Sequence, residues 1–363
     1  IESAMSQPPI DNDTDFVAEP HLLVDKDGEK LCAIVKATWE LADVDPHRTD
    51  GTFTIAPKDR RRGIRAADLP WGKPEVPSIR YPSDLCVKKP GTEIIVVAVA
   101  HTQGSRPQKS FEAGVRVGRA SKVVRVCGTR VWLPEGRGLS EPQPLMSLEM
   151  RYDYAFGGTD LSNPEKIVSD PRNPVGRGMV ANFAALENKA GPQIEDPAAP
   201  IQNASDLPKP AGLGPIGRSY EPRRSRFGSY GGDWVEKRSP LPPHDFDERA
   251  NFSAPEELIL HPSKGGEEGA LSNLSLGGGS LPFVLPKFRV AVRFEIRGAE
   301  PQDFELFCDT IVLDTTLAQP RELRGGPPRV LGARVLRAVH QRDRRRRGGV
   351  RDVGLGPFRH RAG

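Results

Sequence analysis

The sequence has no long apolar run and few cysteines. No segment reaches the ~18 apolar residues that suggest a membrane span, and no basic stretch followed by an apolar one opens the chain. The cysteines Cys32, Cys86, Cys127 and Cys308 stand far apart without a Cys-x-x-Cys pair, which argues against a zinc or redox site. We therefore expect a cytoplasmic protein with buried, reduced thiols that does not act at a membrane.

Motifs for nucleophilic or nucleotide chemistry are also lacking. There is no Gly-x-Ser-x-Gly elbow and no Gly-x-x-x-x-Gly-Lys-Ser/Thr loop. The single Gly-x-Gly-x-x-Gly match, at 212–217, contains Pro215 and neither follows a strand pattern nor opens a helix pattern. We expect no cofactor, and the usual support for a hydrolase, an NTPase or a dinucleotide enzyme is missing.

Glycine and proline, by contrast, are abundant. The chain has 37 Gly and 36 Pro among 363 residues, about a fifth, against an ordinary share of roughly 12%. Such a composition favours many turns between short strands. We predict a mainly β protein, an antiparallel β-sandwich-like scaffold with a long Gly/Pro-rich irregular insertion and few short helices.

Runs rich in Val, Ile, Phe and Thr, several of them alternating, predict strands over 31–41, 92–102, 111–117, 122–132, 288–297 and 304–314. Two antiparallel hairpins are expected. One joins the alternating run 288–296 to the run that follows Pro301, and the other joins 112–117 to 123–126. One short helix is expected over 180–189.

The chain divides into three parts in this interpretation. Residues 1–15 form an N-terminal extension, expected to be flexible, and residues 16–319 form a single β-rich domain. Within that domain, 157–243 is a loop-rich insertion whose aromatic residues favour an ordered layer over a linker. Residues 320–363 form an Arg/Gly-rich tail in which we expect neither strand nor helix.

The charge is concentrated in that tail. It holds thirteen Arg, no Lys and three acidic residues, a formal +10, so the +4 of the whole chain leaves about −6 for residues 1–319. Residues 1–319, which carry a net negative charge, lack the basic surface expected of a protein that binds nucleic acid. Three interpretations of the tail stay open: a shifted reading frame, a solvated natural tail, or a basic arm that binds nucleic acid.

One cluster offers enzymatic chemistry. His244, Asp245 and Asp247 follow a proline-rich stretch and could bind a metal or act as acid and base. Acidic residues after prolines also commonly cap helices. We favour the capping role and expect no catalytic residues and no metal, keeping an enzyme or metal-binding protein as the alternative.

An ordered series of motifs runs through the body. It comprises residues 35–38, 83–85, 89–92, 128–132, 151–160, 173–178, 212–216, 222–223, 228–230 with 234, 240–242 with 245–247, and 254–255. In this series the chain resembles the bacterial domain-of-unknown-function 2169 family, over about 16–314. Gly128-Thr129-Arg130 departs from the expected Gly-Asp-Arg, and nothing beyond about Gln319 resembles the family.

The resemblance implies an accessory protein of type VI secretion, a cytoplasmic adaptor or chaperone that binds a secreted effector toxin, a spike-tip cap protein or both. It also implies fold-shaping roles for the family-motif residues Lys89, Pro90, Gly91, Gly157, Gly158, Asn173, Pro174, Gly176 and Asp245. Because Arg, Trp and Tyr anchor protein interfaces, we predict partner contacts at Trp132, Tyr154, Phe156, Arg223, Tyr230 and Trp234.

Overall fold

A computed structural model describes residues 8–42, 52–72, 78–287, 289–296, 298–316, 331–341, 353–356 and 360–361, the last three ranges by their backbone. Strands dominate the described residues. They are β1 (Val17–Asp25), β2 (Gly28–Ala42), β3 (Thr52–Ile55), β4 (Leu69–Pro70), β5 (Ile79–Tyr81), β6 (Thr92–Val97), β7 (Val99–His101), β8 (Ser110–Val117), β9 (Ala120–Cys127), β10 (Ser147–Glu149), β11 (Phe156–Gly157), β12 (Thr159–Asp160), β13 (Val168–Ser169), β14 (Arg177–Gly178), β15 (Ile194–Glu195), β16 (Ile259–Leu260), β17 (Glu268–Ser272), β18 (Ser280–Val284), β19 (Arg289–Ile296), β20 (Gln302–Glu305), β21 (Phe307–Asp314), β22 (Leu331–Gln341), β23 (Val353–Gly356) and β24 (His360–Arg361).

Helical structure is sparse in the same part of the chain. There is one short α-helix, α1 (Gly232–Lys237), and a set of single 3-10 turns. The turns are Lys58–Arg60, Gln103–Ser105, Pro134–Gly136, Tyr152–Tyr154, Phe183–Leu186, Ala204–Asp206, Arg224–Phe227, Glu248–Asn251 and Glu256–Leu258. None of the described helices has the length and apolar character needed to cross a membrane.

The largest sheet, called the main sheet below, has the order β1-β2-β22-β21-β6-β16, with β3 pairing with β2. Neighbouring strands are antiparallel except β21 and β6, which run parallel. β1 and β2 form a tight hairpin in which Asp25 faces Gly28. Because the side chains of a strand alternate between faces, β2 lends apolar residues to two different cores.

The first core lies between the main sheet and a five-stranded sheet of order β15-β9-β8-β17-β18. Ile94 of β6 and Ile311 of β21 belong to the same buried cluster as Val115, Leu271 and Phe283 of the second sheet. Two sheets enclosing one apolar cluster are the architecture of a sandwich. The mainly β, antiparallel and sandwich-like prediction is confirmed.

The second core covers one face of β2. Its odd-numbered residues from Leu31 to Trp39 cluster with Val290, Val292 and Phe294 of β19. β19 pairs with β20, so that Phe294 faces Gln302 and Ala291 faces Glu305. This is the predicted hairpin after the alternating run, and it is confirmed, as is the β8–β9 hairpin, whose turn is tighter than expected because Val117 faces Ala120.

The insertion has a small core of its own. Trp132, Phe156, Leu186 and Ile201 are buried together, and very short strands and turns surround them. The irregular insertion of the predicted fold is confirmed, and its short strands and turns pack around Trp132 and Phe156, which precede it in sequence. The helix predicted over 180–189 is wrong: only Phe183–Leu186 form a 3-10 turn.

That turn is short for local reasons. The side chain of Asn182 accepts a hydrogen bond from the Ala184 amide and starts the turn, as Asn does at helix N-termini. Asn188, just beyond the turn, has a φ of 62°, a left-handed conformation that does not continue a right-handed helix. The apolar spacing of the segment serves packing against Trp132 instead.

Three predicted strands end or break earlier than their apolar patterns suggest. Residues 92–102 divide into β6 and β7, residues 304–314 divide between β20 and β21, and the strand predicted over 122–132 ends at Cys127. Gly128 explains the last of these. A Cβ there would lie 1.6 Å from the Gln143 carbonyl oxygen, so another chain segment passes where the strand would continue.

Both ends of the chain hold more structure than the patterns suggest. In the predicted extension, Ile10 packs against the second core and Asn12 bonds to Thr14 and Phe16; residues 1–7 lie outside the described residues. In the tail, where no strand is expected, the structure places β22, β23 and β24. β22 pairs with β2 on one side and with β21 on the other. Its sequence, Leu331–Gln341, is largely apolar and contains single arginines. The four consecutive arginines lie outside the described residues.

Candidate partner-binding surface

A segment at the surface carries a pair of aromatic rings in contact. We call residues 228–245 the aromatic arm; they include α1 and the proline-rich stretch that follows it. The rings of Tyr230 and Trp234 meet edge to face, with centroids 4.8 Å apart. Tyr230 is 54% exposed and Val235, next to the tryptophan, is 63% exposed. Tyr230 and Val235 thus present apolar surface to solvent, and Trp234 between them in sequence is half-buried.

Polar contacts fix the shape of the aromatic arm. The Trp234 indole N–H donates to the Leu241 carbonyl oxygen at 2.7 Å, and Arg238 Nε donates to the Pro242 carbonyl oxygen at 2.8 Å. These bonds fold the proline-rich stretch back onto α1. Arg238 also donates to the Lys26 carbonyl oxygen in the β1–β2 turn. The arm is therefore attached to the main sheet as well as to its own base.

The base of the arm is closed by Asp245. Its carboxylate accepts hydrogen bonds from the Ser229 amide at 3.0 Å and the Ser229 hydroxyl at 2.8 Å. These donors, the amide first, lower the pKa of Asp245 below its usual value. Gly228 has a φ of 89°, and a Cβ there would lie 2.7 Å from the Asp245 carboxylate. The motif residues Gly228 and Asp245 are thus matched to each other.

The candidate enzymatic cluster, His244, Asp245 and Asp247, lies at the base of the aromatic arm and at the turn that follows it. Asp247 caps the 3-10 turn Glu248–Asn251, accepting from the Arg249 amide at 2.9 Å and from Arg249 Nε at 2.8 Å. The Arg249 side chain, followed by its amide, lowers the pKa of Asp247. His244 is exposed. Across the described ranges, no three His, Cys, Asp or Glu side chains come together as a metal site would require.

The six predicted partner contacts fall in different environments. Trp132 and Phe156 are fully buried in the core of the insertion. Arg223 is buried and donates to the Ala250 and Ile216 carbonyl oxygens at 2.8 and 2.7 Å. Tyr154 is partly buried beneath the Arg177 guanidinium, 4.8 Å from its ring centroid. Of the six, the structure brings only Tyr230 and Trp234 together at the surface.

Several arginines stack on the buried rings of Trp71 and Tyr81. Arg65 lies 4.1 Å from the Tyr81 ring centroid and Arg80 lies 4.7 Å from that of Trp71. Arg151 lies 5.7 Å from the Trp71 ring centroid and donates to Asp153 at 3.0 Å. Arg151 of the 151–160 motif therefore makes an intramolecular stack that joins the segment just before the insertion to the end of β4.

The glycines of the central motifs allow chain segments to approach closely. Asn173 Nδ2 donates to the Tyr152 and Phe156 carbonyl oxygens at 2.9 and 2.8 Å. Gly157 and Gly158 have φ values of 136° and 114°, and a Cβ on Gly157 would lie 2.2 Å from the Asn173 carbonyl oxygen. A Cβ on Gly176 would lie 2.4 Å from Asn173 Nδ2, and the neighbouring Pro174 carbonyl accepts from Thr159. These residues let the chain segments 152–158 and 173–176 pass in direct contact, an arrangement called the Asn173 crossing below.

The 89–92 motif builds a buried ion pair. The Lys89 ammonium contacts the Glu93 carboxylate and donates to Thr310 Oγ1 at 2.7 Å. Glu93 also accepts from the Ser253 and Ala254 amides at 2.6 and 2.8 Å. A Cβ on Gly91, which follows Pro90, would lie 2.4 Å from the Leu260 carbonyl oxygen, where β16 pairs with β6. The motif therefore joins β6, β21 and the 253–260 segment.

Sequence reasoning overlooked Val235. The sequence offers only one hint, an apolar residue beside an aromatic one within Gly-Gly-Asp-Trp-Val. This stretch is too short to show the periodic apolar spacing that predicts a helix. In the structure α1 turns the Val235 side chain to solvent next to Trp234. Val235 adds an exposed apolar side chain to α1, next in sequence to Trp234.

Comparison with known proteins gives one match. No curated protein and no solved structure matches the chain. A family model described as an uncharacterized protein conserved in bacteria matches residues 26–320, a range that contains the aromatic arm, the Asn173 crossing and the Lys89–Glu93 pair. The chain belongs to this bacterial family, DUF2169.

Proposed function

We propose that this chain is a non-catalytic adaptor that binds a partner protein through the aromatic arm. The observation that carries the proposal is the exposure of Tyr230 and Val235 beside the half-buried Trp234, on a segment whose shape is held by hydrogen bonds to Asp245 and from Trp234. Tyr and Trp are enriched among the residues that dominate binding energy. A preformed arm also loses less conformational entropy on binding than a free loop does.

The identity of the partner follows from the motif resemblance. That resemblance implies a cytoplasmic role beside type VI secretion, in which the adaptor carries an effector toxin to the spike tip. An apolar anchor of a few side chains suits such a task, because the effector must be held during assembly and released afterwards. A small hot spot of this kind gives affinity without a large permanent interface.

The test is affinity purification from a bacterium that carries type VI secretion genes and a gene of this family, followed by mass spectrometry. The informative variant is Val235→Glu, which puts a charge on the apolar surface at a side chain that is 63% exposed. Val123→Glu is the matched control, because Val123 is also exposed but lies on β9. Glu is well tolerated in a helix, so the fold of α1 should persist.

We expect the wild-type chain and the Val123→Glu chain to recover a spike-tip protein or a toxin. Recovery should fall at least about tenfold with Val235→Glu, equivalent to ~1.4 kcal/mol of binding free energy. Equal recovery with both variants would contradict the arm as the binding surface. Absence of any secretion protein, or recovery of nucleic acid alone, would contradict the adaptor role.

A further inference from the structure

The middle of the main sheet is filled by a strand from the far end of the chain. β22 pairs with β2 from Lys30↔Gln341 to Glu40↔Leu331, and on its other side with β21 from Phe307↔Arg337 to Asp314↔Leu331. We call the space between β2 and β21 the strand slot. Both of its walls present a row of backbone donors and acceptors that β22 satisfies.

The walls of the strand slot are deeply buried with β22 in place. Val35 on β2 and Ile311 on β21 are 0% and 1% exposed. Unpaired backbone groups between such residues are costly, and an open strand edge is a template for pairing. An empty slot is therefore unfavourable, and the sheet is stable only when an extended segment occupies it.

β21 and β22 are well separated along the sequence. Residues 315–330 connect the two strands, whereas hairpin loops usually have about 2–5 residues. An extended connection of this length reaches roughly 50 Å. The walls lie within the matched family range, residues 26–320, while β22 lies beyond it. The occupant and the slot are thus separate parts of the chain.

We infer that the strand slot accepts an extended segment in trans, and that its occupant in trans is residues 331–341 of a second copy, which yields a strand-exchanged dimer. The exchanged pairing has the same register as the internal one, so every ladder bond is kept. Exchange of an identical element costs little beyond the loss of the intramolecular effective concentration. Raising the protein concentration therefore favours the dimer.

The test is a directed cross-link between two full-length chains. Thr38 of β2 lies opposite Ala333 of β22, and directly opposed residues have Cα atoms about 4.5–5.5 Å apart, within the range for a disulfide. One chain carries Thr38→Cys and the other, with a larger tag, carries Ala333→Cys. The matched control replaces Ala333→Cys by Arg334→Cys, because a shift of one residue moves the thiol to the opposite face.

The two chains are refolded together at high protein concentration, oxidised and separated on a non-reducing gel, with the wild-type chain in parallel to account for its own cysteines. We expect a covalent heterodimer with the Thr38/Ala333 pair at a yield at least about tenfold above the Arg334 control. The double variant Thr38→Cys/Ala333→Cys, refolded dilute, should cross-link within one chain. Circular dichroism checks that each variant is folded.

An internal cross-link without any heterodimer would overturn exchange in trans. A folded double variant that forms no cross-link would overturn the slot itself. Should Thr38→Cys fail to fold, the pair Ala37→Cys and Arg334→Cys asks the same question on the other face, because Ala37 lies opposite Arg334. Its mismatched control is Ala37→Cys with Ala333→Cys.

Discussion

Asn173 is the residue at which the central motifs converge. Its side-chain amide joins the carbonyls of Tyr152 and Phe156, and its own carbonyl lies against Gly157 and accepts from the Gly158 amide. A larger residue at either glycine would separate these segments. The spacing of the motifs in the sequence therefore reflects one backbone crossing in space.

Gly157→Ala should destabilise the protein by about 2–4 kcal/mol. The φ of 136° is strained for any residue with a Cβ, and that Cβ would lie 2.2 Å from the Asn173 carbonyl oxygen. Gly231→Ala is the control, because a Cβ there meets nothing within 4 Å. Urea denaturation measures both variants. A midpoint for Gly157→Ala equal to that of Gly231→Ala would contradict the crossing.

Asp160 makes the free energy of unfolding depend on pH. Its carboxylate accepts from the Ala181 amide at 3.0 Å and the Ser162 amide at 2.9 Å, and these donors lower its pKa to about 2. Since the unfolded value is about 3.9, the carboxylate stabilises the fold above pH ~4 and loses this effect as pH falls towards 2.

Asp160→Asn should therefore lower the melting temperature at pH 6, and the difference from wild type should shrink below pH 4. Melting curves across this pH range provide the measurement. Asp233→Asn is the control, because Asp233 is exposed and its side chain contacts only Lys237 at 3.2 Å among the described ion pairs. A difference that stays constant with pH would argue against the hydrogen bonds to Ala181 and Ser162.

At the scale of elements, a buried ion pair ties a loop to β2. Lys36 Nζ lies 2.5 Å from Asp84 Oδ2, and both side chains are at most 5% exposed. The Asp84 carboxylate also accepts from the Arg65 amide at 2.7 Å. Burial lowers the pKa of Lys36 while Asp84 opposes that shift. The lysine therefore depends on Asp84 to stay charged.

Lys36→Met should cost about 3–5 kcal/mol of unfolding free energy, because it leaves the buried Asp84 carboxylate without its cation. Lys88→Met is the matched control: Lys88 is 57% exposed and lies 3.5 Å from Glu248, so its loss should cost at most about 1 kcal/mol. Chemical denaturation at pH 7 measures the unfolding free energy of both variants. Similar costs for the two variants would show that the Asp84 pair contributes little.

The alternation of apolar residues was enough to predict the long strands. β2, β8 and β19 carry clear period-two patterns and are found where the patterns lie. β1 was missed because Pro20 interrupts its pattern; it forms as an outer strand of the main sheet, paired with β2 alone. β22 was missed because its neighbours, not its own arginine-containing sequence, supply the pairing.

The candidate surface was predictable only in part. Tyr230 and Trp234 attract notice as aromatic residues in a Gly-rich stretch, but nothing in the sequence indicates that their rings meet. That contact depends on α1 and on the return of the chain to Leu241, which the Trp234 indole fixes. The burial of Trp132 and Phe156 likewise depends on packing across the insertion.

At the scale of the whole molecule, the main sheet packs against the five-stranded sheet in one core and against β19 in another. Removing residues 320–363 deletes β22 and should lower the melting temperature and cause aggregation, because the facing edges of β2 and β21 lose their partner. Removing only residues 342–363 keeps β22 but takes β23 and β24 away from β19, and should leave both properties nearer to wild type than the longer deletion does. Differential scanning fluorimetry and light scattering compare the two deletions.

A shorter deletion that aggregates as readily as the longer one would contradict this account. Equal solubility and equal melting temperatures for both deletions and the full chain would show that β22 adds nothing to the main sheet. Both deletions remove the four consecutive arginines, β23 and β24, so the difference between them reports on residues 320–341, which contain β22.

The order of the main sheet also determines when the protein can fold. β2 ends at Ala42 and its partner β22 begins at Leu331, so their pairing waits for nearly the whole chain to be synthesised. At ~5–20 residues per second the β1–β2 hairpin spends roughly 15–60 s on the ribosome with one long apolar edge uncovered. Contacts between such distant residues also form slowly. We therefore expect the nascent chain to be more prone to aggregation before residue 341 is made than a chain whose strands pair with their neighbours in sequence.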